Sequence, residues 1–532
     1  MTTVSGSGAQ PDAPAAEEQM THREILVVLS GLLAALFTAL LSSTIVSTAL
    51  PTIIADLNGT QTQYAWVITT ALLANAASTP IWGKFADLFN KKLLVQLGIL
   101  VFVIGSVLAG IAHNVPVLLA ARVIQGIGMG GLTALVVAII GSIIPPRQRG
   151  RYSGYMGAVM AVAMSGGPVL GGVIVDLLGW RWCFYVCVPI AVVALILLQR
   201  TLHVTTVRKE NVSIDWFGAT LITAAVSVLL VWVSFAGKAD YYEWFSAESA
   251  LYVGAGIVPV SYTHLTLPTK VADPIIPLKI VTERTTGLAI IASVAVGIGL
   301  FGATTFLGQY FQTSRAYSPT VAGLLTIPMV AGTLVSSMLS GQLITRFGKW
   351  KGFLIGGAIL QMVGFGLLGT VDHLTSLTLI SVYIAIVGLG TGMLMQNLVL
   401  AVQNTVSVRN IGAASSSVAF FRTFGGAIGV SVLGSILASR VATISADGLA
   451  KLGVDTSGGG SGGTLDFSQL PEPVAEVIRA AYGDATATLF LVAAAFAVVT
   501  LVAVVLIPNQ ALRTTIDLVE EKSPADRADI SS

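Results

Sequence analysis

Long apolar runs separated by short polar breaks fill most of the chain. They fall at residues 25–49, 64–83, 93–112, 116–140, 152–175, 182–199, 216–236, 249–260, 287–307, 320–344, 353–370, 377–400, 411–438 and 485–507. Thirteen of these fourteen are long enough to cross ~30 Å of hydrocarbon as helices. The runs are continuous, without the strict alternation of barrel strands, so the spans are predicted to be helical. Residues 1–23 are rich in Ala, Ser, Gly, Pro and acids and read as a disordered tail. The first run is too long for the apolar region of a signal peptide and lacks a cleavage pattern, so it reads as a first span.

Composition narrows the class. Of 532 residues, 54% are hydrophobic and 10% charged, against about 25% charged in an ordinary soluble protein. Mean hydropathy is +0.84. That leaves too little polar surface for a soluble enzyme or a secreted domain. A net charge of +2 gives no field to recruit polyanions, so no nucleic-acid partner is expected. The fold class is therefore an all-α polytopic membrane protein.

Charge placement orients it. With a cytoplasmic N-terminus and alternating spans, twenty of the 28 basic residues fall in cytoplasmic segments and six in outer ones. Arg122 and Arg422 lie inside spans. This bias follows the positive-inside rule and predicts fourteen spans in the cytoplasmic membrane, with both termini cytoplasmic. An outer segment at 440–484 contains GGGSGG at 458–463 and an amphipathic stretch from Pro473 to Tyr482. It is expected to be a flexible loop with one short helix.

Two cytoplasmic loops look alike: GKFADLFNKK at 83–92 and GQLITRFGKWK at 341–351. Two halves on one plan are the ground plan of secondary transporters, with the substrate site between them. The expected organisation is a tail over 1–23, a six-helix bundle over 24–200, an inserted helix pair and linker over 201–284, a second six-helix bundle over 285–507 and a tail over 508–532.

Several motifs share one source. GKFADLFNKK, LLAARVIQGIGMG at 118–130, GGPVLGG at 166–172, GWRWCFYVCVP at 179–189 and DWFG at 215–218 resemble those of the major facilitator superfamily, in particular its fourteen-helix drug:proton antiporter-2 group. The resemblance covers nearly the whole chain. It implies a major facilitator fold and export of small amphipathic compounds by alternating access, with protons as the coupling ion. It implies a monomer in the bilayer acting on a small-molecule substrate, with no cofactor. Asn90 stands where the signature loop usually has Gly.

Within those motifs, Asp87 is placed to cap a neighbouring helix N-terminus or to pair with Lys91, Lys92 or the Arg147–Arg151 cluster. With Gly83 it would form a conformational latch. In the fifth span, Ala163, Gly167 and Gly171 recur every four residues, as do Gly157, Ala161 and Ser165; small residues at this spacing let helices approach closely. Pro168 permits a bend, and Gly171 with Gly172 completes the antiporter motif. A guanidinium inside the membrane is costly, so Arg122 and Arg422 are candidates for sensing protonation or substrate charge.

One departure matters. The group usually carries an acid in the first span, but LSSTIVSTALP at 41–51 places Ser42 there. No Asp or Glu falls inside a predicted span; Asp176 and Asp215, at span ends, are the nearest titratable candidates. An anionic substrate paired with Arg122 or Arg422 is the alternative reading. Asn75, Gln309, Gln312, Gln396 and Asn397, with Tyr310, are candidate cavity residues, each amide being equally able to serve as an interhelical hydrogen bond. Cys183 and Cys187 read as packing residues, and no metal site is expected.

The eighth run ends early. After ALYVGAGIV come Pro259, Ser261, Thr263, His264, Thr266 and Pro268, leaving about a dozen apolar residues where ~20 are needed. VSYTHLTLPTK resembles translated sequencing-adaptor sequence and is expected to replace the second half of that span. A membrane-embedded enzyme would need clustered His, Asp or Cys. The five histidines are scattered, and no GxxxxGK[ST] phosphate loop occurs, so a transporter is expected rather than an enzyme or an ATP-driven pump.

Overall fold

An apolar segment in lipid must close its own backbone hydrogen bonds, so runs of this length fold as helices. The computed structural model describes residues 22–57, 61–202, 216–236, 242–265, 281–317, 319–407, 410–452 and 471–513. Asp215, the N-terminal tail and the GGGSGG stretch lie outside them.

The first half comprises α1 (His22–Asp56), α2 (Gln61–Leu88), α3 (Lys91–Gly110), α4 (Val115–Ile143), α5 (Pro146–Leu178), α6 (Trp182–Tyr185) and α7 (Cys187–Thr201). A hairpin follows, α8 (Trp216–Phe235) and α9 (Ala247–Leu265). The second half comprises α10 (Arg284–Gln309) with a π-turn at Tyr310–Ser314, α11 (Pro319–Leu325), α12 (Ile327–Phe347), α13 (Lys351–Leu368), α14 (Leu377–Gln403), α15 (Ile411–Lys451) and α16 (Glu472–Leu506). Among the described residues, eleven helical stretches are long and apolar enough to cross a membrane. Helices α2, α8 and α9 occupy the three other predicted runs.

Each half builds its own core. In the first, Leu32, Val95, Ile99, Leu132 and Leu135 pack together toward one end, and Ile45, Leu50, Leu118 and Phe184 toward the other. In the second, Val296, Leu354, Leu398 and Val418 are matched by Leu307, Phe365, Ile384 and Phe490. Lipid-facing stripes are equally plain. Leu93, Leu97, Leu100 and Ile104 of α3 are all exposed at helical spacing. The groove between α3 and α7 lined by Leu93, Leu97 and Leu100, with Leu195 and Ile196, opens sideways and is a lipid crevice.

The repeat shows in close packing. Gly126 and Gly130 of α4 meet α2, while Gly128 meets the backbone of α3. In α14, Gly388 and Gly392 meet α12, while Gly390 meets the backbone of α13. Thus GIGMG and GLGTG place one helix between two neighbours in the same way in both halves. The halves join along two seams, α5 against α12 and α2 against α15. The α8–α9 hairpin lies across the second seam, with α8 touching both α2 and α15.

Three expectations change. Over its described residues the connection at 440–484 is mostly helix: α15 runs unbroken to Lys451 and α16 starts at Glu472. Leu437, Val441 and Ile444 pack with Tyr482 and Ala485, so the pair carries its apolar contacts beyond the hydrophobic run. The eighth span is a helix of 19 residues that passes through Pro259 to Leu265; residues 266–280 lie outside the description. The sixth carries a local turn at Val186, between Cys183 and Cys187, within one membrane-length stretch from Trp182 to Thr201.

Candidate functional site

The loops holding Lys91 and Lys351 lie at one end of the molecule, which we term the inner end. At that end α15 has a problem common to helix starts: its first amide N–H groups lack partners. Its N-cap Asn410 makes no side-chain capping bond. Asp87, from the other half, supplies the cap. Its Oδ1 accepts from the Gly412 amide at 2.9 Å and its Oδ2 from the Ala413 amide at 2.9 Å. Gly83 makes this approach possible, since a Cβ there would come within 2.8 Å of the Gly412 carbonyl oxygen. Of the expected partners, Lys91 lies near enough to act on Asp87 electrostatically, as does Lys84. Lys92 instead donates to the Gln199 carbonyl at 2.7 Å. Asn90 caps α3 by accepting from the Lys92 and Leu93 amides, which accounts for Asn where Gly is usual.

A second inner contact was not anticipated. Arg149 is 1% exposed and donates to the carbonyls of Ile144 and Gly141 and to Gln403 of α14. Gln403 in turn donates to Ser415 Oγ at 2.9 Å and to the Val137 carbonyl at 3.4 Å. The remaining inter-half bonds join the Arg151 amide to Thr345 Oγ1, Ser337 Oγ to the Gly154 carbonyl, and Gln396 Nε2 to Met160 Sδ. Every described hydrogen bond between the halves lies in the inner part of the bundle.

The two small-residue rows of α5 face different neighbours. Gly167 and Gly171 pack against Thr44 and Ile45 of α1, where Thr44 Oγ1 donates to the Ala163 carbonyl at 3.1 Å. Gly157 packs against Ser337 of α12, across the seam. Gly172 is partly exposed, and Pro168 lies within α5, its side chain outside the description.

Arg122 lies seven residues into α4, roughly 10 Å from its outer end at ~1.5 Å per residue. It is 2% exposed and has no carboxylate partner among the described residues. Its Nε donates to the Val67 carbonyl at 3.2 Å and its Nη1 to Gln125 Oε1. Gln125 Nε2 donates to Ser42 Oγ at 3.0 Å and Ser106 Oγ at 2.8 Å. Ser42 and Arg122 are thus joined through an amide, and four helices meet in a clamp of neutral groups around the guanidinium. Gln125 was missed, although its place three residues after Arg122 on one helix face was readable.

Arg422 is different. It lies eleven residues into α15, roughly 17 Å from the inner end. It is partly exposed, and its one described hydrogen bond runs from Nη1 to the Met395 carbonyl at 3.3 Å.

The cavity candidates separate. Gln396 reaches the seam, and Asn397 bonds Ser340 Oγ and the Met393 carbonyl, serving helix packing. Asn75 accepts from Thr79 within α2. Tyr310, with Gln309 and Gln312, sits at the outer end of α10, where its hydroxyl donates to the Asp372 carbonyl at 2.9 Å and accepts from Arg315 Nε at 2.9 Å. GWRW also finds its role at that end. Gly179 turns at φ +88°, a region other residues avoid, and Trp180 Nε1 donates to Asp56 Oδ2 at 2.9 Å. Arg181 adds a contact at 3.3 Å, and the two hold the Asp56 carboxyl below its ordinary range.

Two pseudo-equivalent helical bundles, joined by seams whose hydrogen bonds gather at one end, define a membrane carrier. The family model for the Major Facilitator Superfamily matches residues 32–430, and the chain belongs to that family. It is a multi-pass membrane transporter for small molecules and not an enzyme. The multidrug transporter protein MdtP of Bacillus subtilis is 34% identical over 435 residues, covering 81% of this chain and 79% of that one. The efflux pump dotC of Dothistroma septosporum is 32% identical over 504 residues, covering 93% and 86%. The crystal structure of the human organic anion transporter MFSD10 shares the fold, with a TM-score of 0.59 and 14% identity over 90% of this chain and all of that one.

Proposed function

We propose that the protein is a secondary exporter of small amphipathic compounds, working by alternating access as a monomer with fourteen membrane helices. The inner end faces the cytoplasm, both termini lie there, and the membrane is the cytoplasmic one. The observation that carries this reading is the clustering of all described inter-half hydrogen bonds in the inner part of the bundle. A carrier whose halves are tied at one end alone is closed there and free to part at the other. The Asp87 cap on α15 and the Arg149–Gln403 contact are the latches. The small-residue rows of α5 pack it closely on α1 within its own half and let it slide against α12 of the other half without a gap. Relatives named as a multidrug transporter and an efflux pump support the export direction.

Protons are the coupling ion in this reading, with the titrating group outside the membrane-buried helices. All acidic residues in the described helices lie within four residues of a helix end, apart from Asp484 on the outer extension of α16. The test is transport of a dye panel in proteoliposomes under imposed pH and sodium gradients. Dye movement driven by the pH gradient alone supports the reading; movement indifferent to both gradients removes the antiporter.

A further inference from the structure

We infer that the substrates this carrier accepts are amphipathic organic anions, and that Arg422 holds their anionic group. The inference rests on the exporter reading and narrows its substrate class. It starts from the difference between the two arginines inside spans. Arg122 is enclosed and satisfied by Val67 and Gln125, with Gln125 held in turn by Ser42 and Ser106. That cation is fixed in the wall of its bundle. Arg422 has five N–H donors, as every guanidinium does, and spends one on the Met395 carbonyl.

Its position sets where the other donors point. Helix α15 is flanked by α10, α2 and α8, so it is shielded from lipid on those sides. Arg422 leans instead toward α14, at the residue next to Gln396, whose amide reaches Met160 across the seam. Arg422 therefore sits at mid-bundle beside the meeting line of the halves, above the closed inner latch, and the residue as a whole is partly exposed. No carboxylate among the described residues faces it from α10, α14 or α2; Asp87, the acid on α2, is spent on the α15 N-terminus. A cation at this depth is costly without a partner. An anion arriving from solution supplies one, in a charge-assisted pair that Arg binds in a two-pronged geometry.

The surroundings suit the rest of such a molecule. Phe420, Phe421 and Phe424 lie on the same stretch of α15, with ring centroids 5.0 Å and 5.9 Å apart for the two pairs that Phe420 makes. They face Leu73, Ala76 and Ala77 of α2. Phe421 and Phe424 are partly exposed and offer an apolar wall beside the charge. An aromatic carboxylate fits both features. A cation placed here would meet Arg422 with no acid to offset it.

The test uses purified protein in liposomes, carboxyfluorescein as the anionic probe and ethidium as the cationic one. The expected result is carrier-dependent movement of carboxyfluorescein with ethidium left behind. Arg422→Gln should lower the carboxyfluorescein rate at least tenfold, and Arg422→Lys should restore part of it. In the unaltered protein, 1-naphthylacetate should slow carboxyfluorescein and 1-naphthylmethylammonium should not; this arm stands even where the variants fail to fold. Preference for ethidium, competition by the cation alone, or full carboxyfluorescein transport by Arg422→Gln overturns the inference while leaving the exporter reading intact. Vesicles that move neither dye sink the exporter reading, and the inference falls with it.

Discussion

Replacing Asp87 by Asn isolates the inner latch. The carboxylate offers one oxygen to each of two amides on α15, both at 2.9 Å. An Asn side chain keeps one carbonyl oxygen and turns an NH2 group toward the other amide, so one bond is lost and a donor faces a donor. A hydrogen bond to a charged group contributes about 1.5–3 kcal/mol. Losing the negative charge at a helix N-terminus removes about 0.3–1 kcal/mol more. The latched state should therefore weaken by roughly 2–4 kcal/mol, or about 30- to 700-fold in its ratio to the unlatched one at ~1.4 kcal/mol per tenfold. Nothing in the core of either half is touched, so insertion and folding should survive.

Spin labels read this directly. Phe89, 39% exposed, and Phe347, 59% exposed, lie at the inner ends of α2 and α12 in opposite halves and accept labels without disturbing a core. The native cysteines Cys183 and Cys187 are buried and can be replaced by Ala for a clean background. With Asp87 present, the distance between the labels should be dominated by the short, latched population. With Asn it should move to a longer one, and transport should fall. An unchanged distance distribution in Asp87→Asn would refute the latch, whatever happened to transport.

Other perturbations test other joints. Gln125→Leu removes the acceptor of a buried guanidinium and the amide donor shared by two serines; thermal unfolding in detergent should show a loss of about 2–4 kcal/mol, since unsatisfied buried charge costs more than the ~1–3 kcal/mol of a neutral group. Gly128→Val places a branched side chain against the backbone of α3 at Phe102, and Gly390→Val does the same against α13 at Gln361; size-exclusion profiles should show misassembled protein for both, and a native profile would break the proposed equivalence of the halves. For Asp56, the Trp180 bond and the Arg181 charge depress the folded-state pKa, so its contribution is present above the unfolded value of about 3.9 and is lost as pH falls through the lower folded value. Melting curves of Asp56→Asn and the parent should therefore differ by a constant amount from pH 8 to about pH 5 and converge only below about pH 4.

Much of the architecture was readable because lipid simplifies the problem: a run of apolar residues has one acceptable backbone solution. The seams were half readable. The two four-residue rows on α5 were visible, but the spacing does not say that Gly167 meets α1 while Gly157 meets the other half. The second repeat signal, GIGMG and GLGTG, was in plain view and far more informative than the loop likeness. Alternate glycines do not stay on one face of a helix, and that is what lets α4 and α14 each contact two neighbours. The outer extension was illegible by hydropathy because α15 and α16 continue where polar residues begin, held by Val441, Ile444 and Tyr482. Arg149 read as one member of a loop cluster. Only folding shows that its acceptors are carbonyls and an amide, which no charge-pairing argument looks for.

That choice of partners follows from what an alternating carrier has to do. The inner closure joins ions to dipoles: Asp87 to two amides, and Arg149 to carbonyls and Gln403. A buried ion pair broken once per cycle would strand both charges, at about 3–5 kcal/mol for the loss of one partner. An ion released from backbone dipoles strands one charge, and water reaching the opened end can solvate it along with the freed dipoles. The net worth of each contact is then about 1.5–3 kcal/mol, small enough for a substrate's binding energy to offset. Exchanging Gln403 for Glu would turn the Arg149 contact into an ion pair. The expected outcome is a carrier locked at its inner end, with short label distances between residues 89 and 347 and little transport. Faster or unaltered transport in Gln403→Glu would show that the strength of this contact does not limit the cycle.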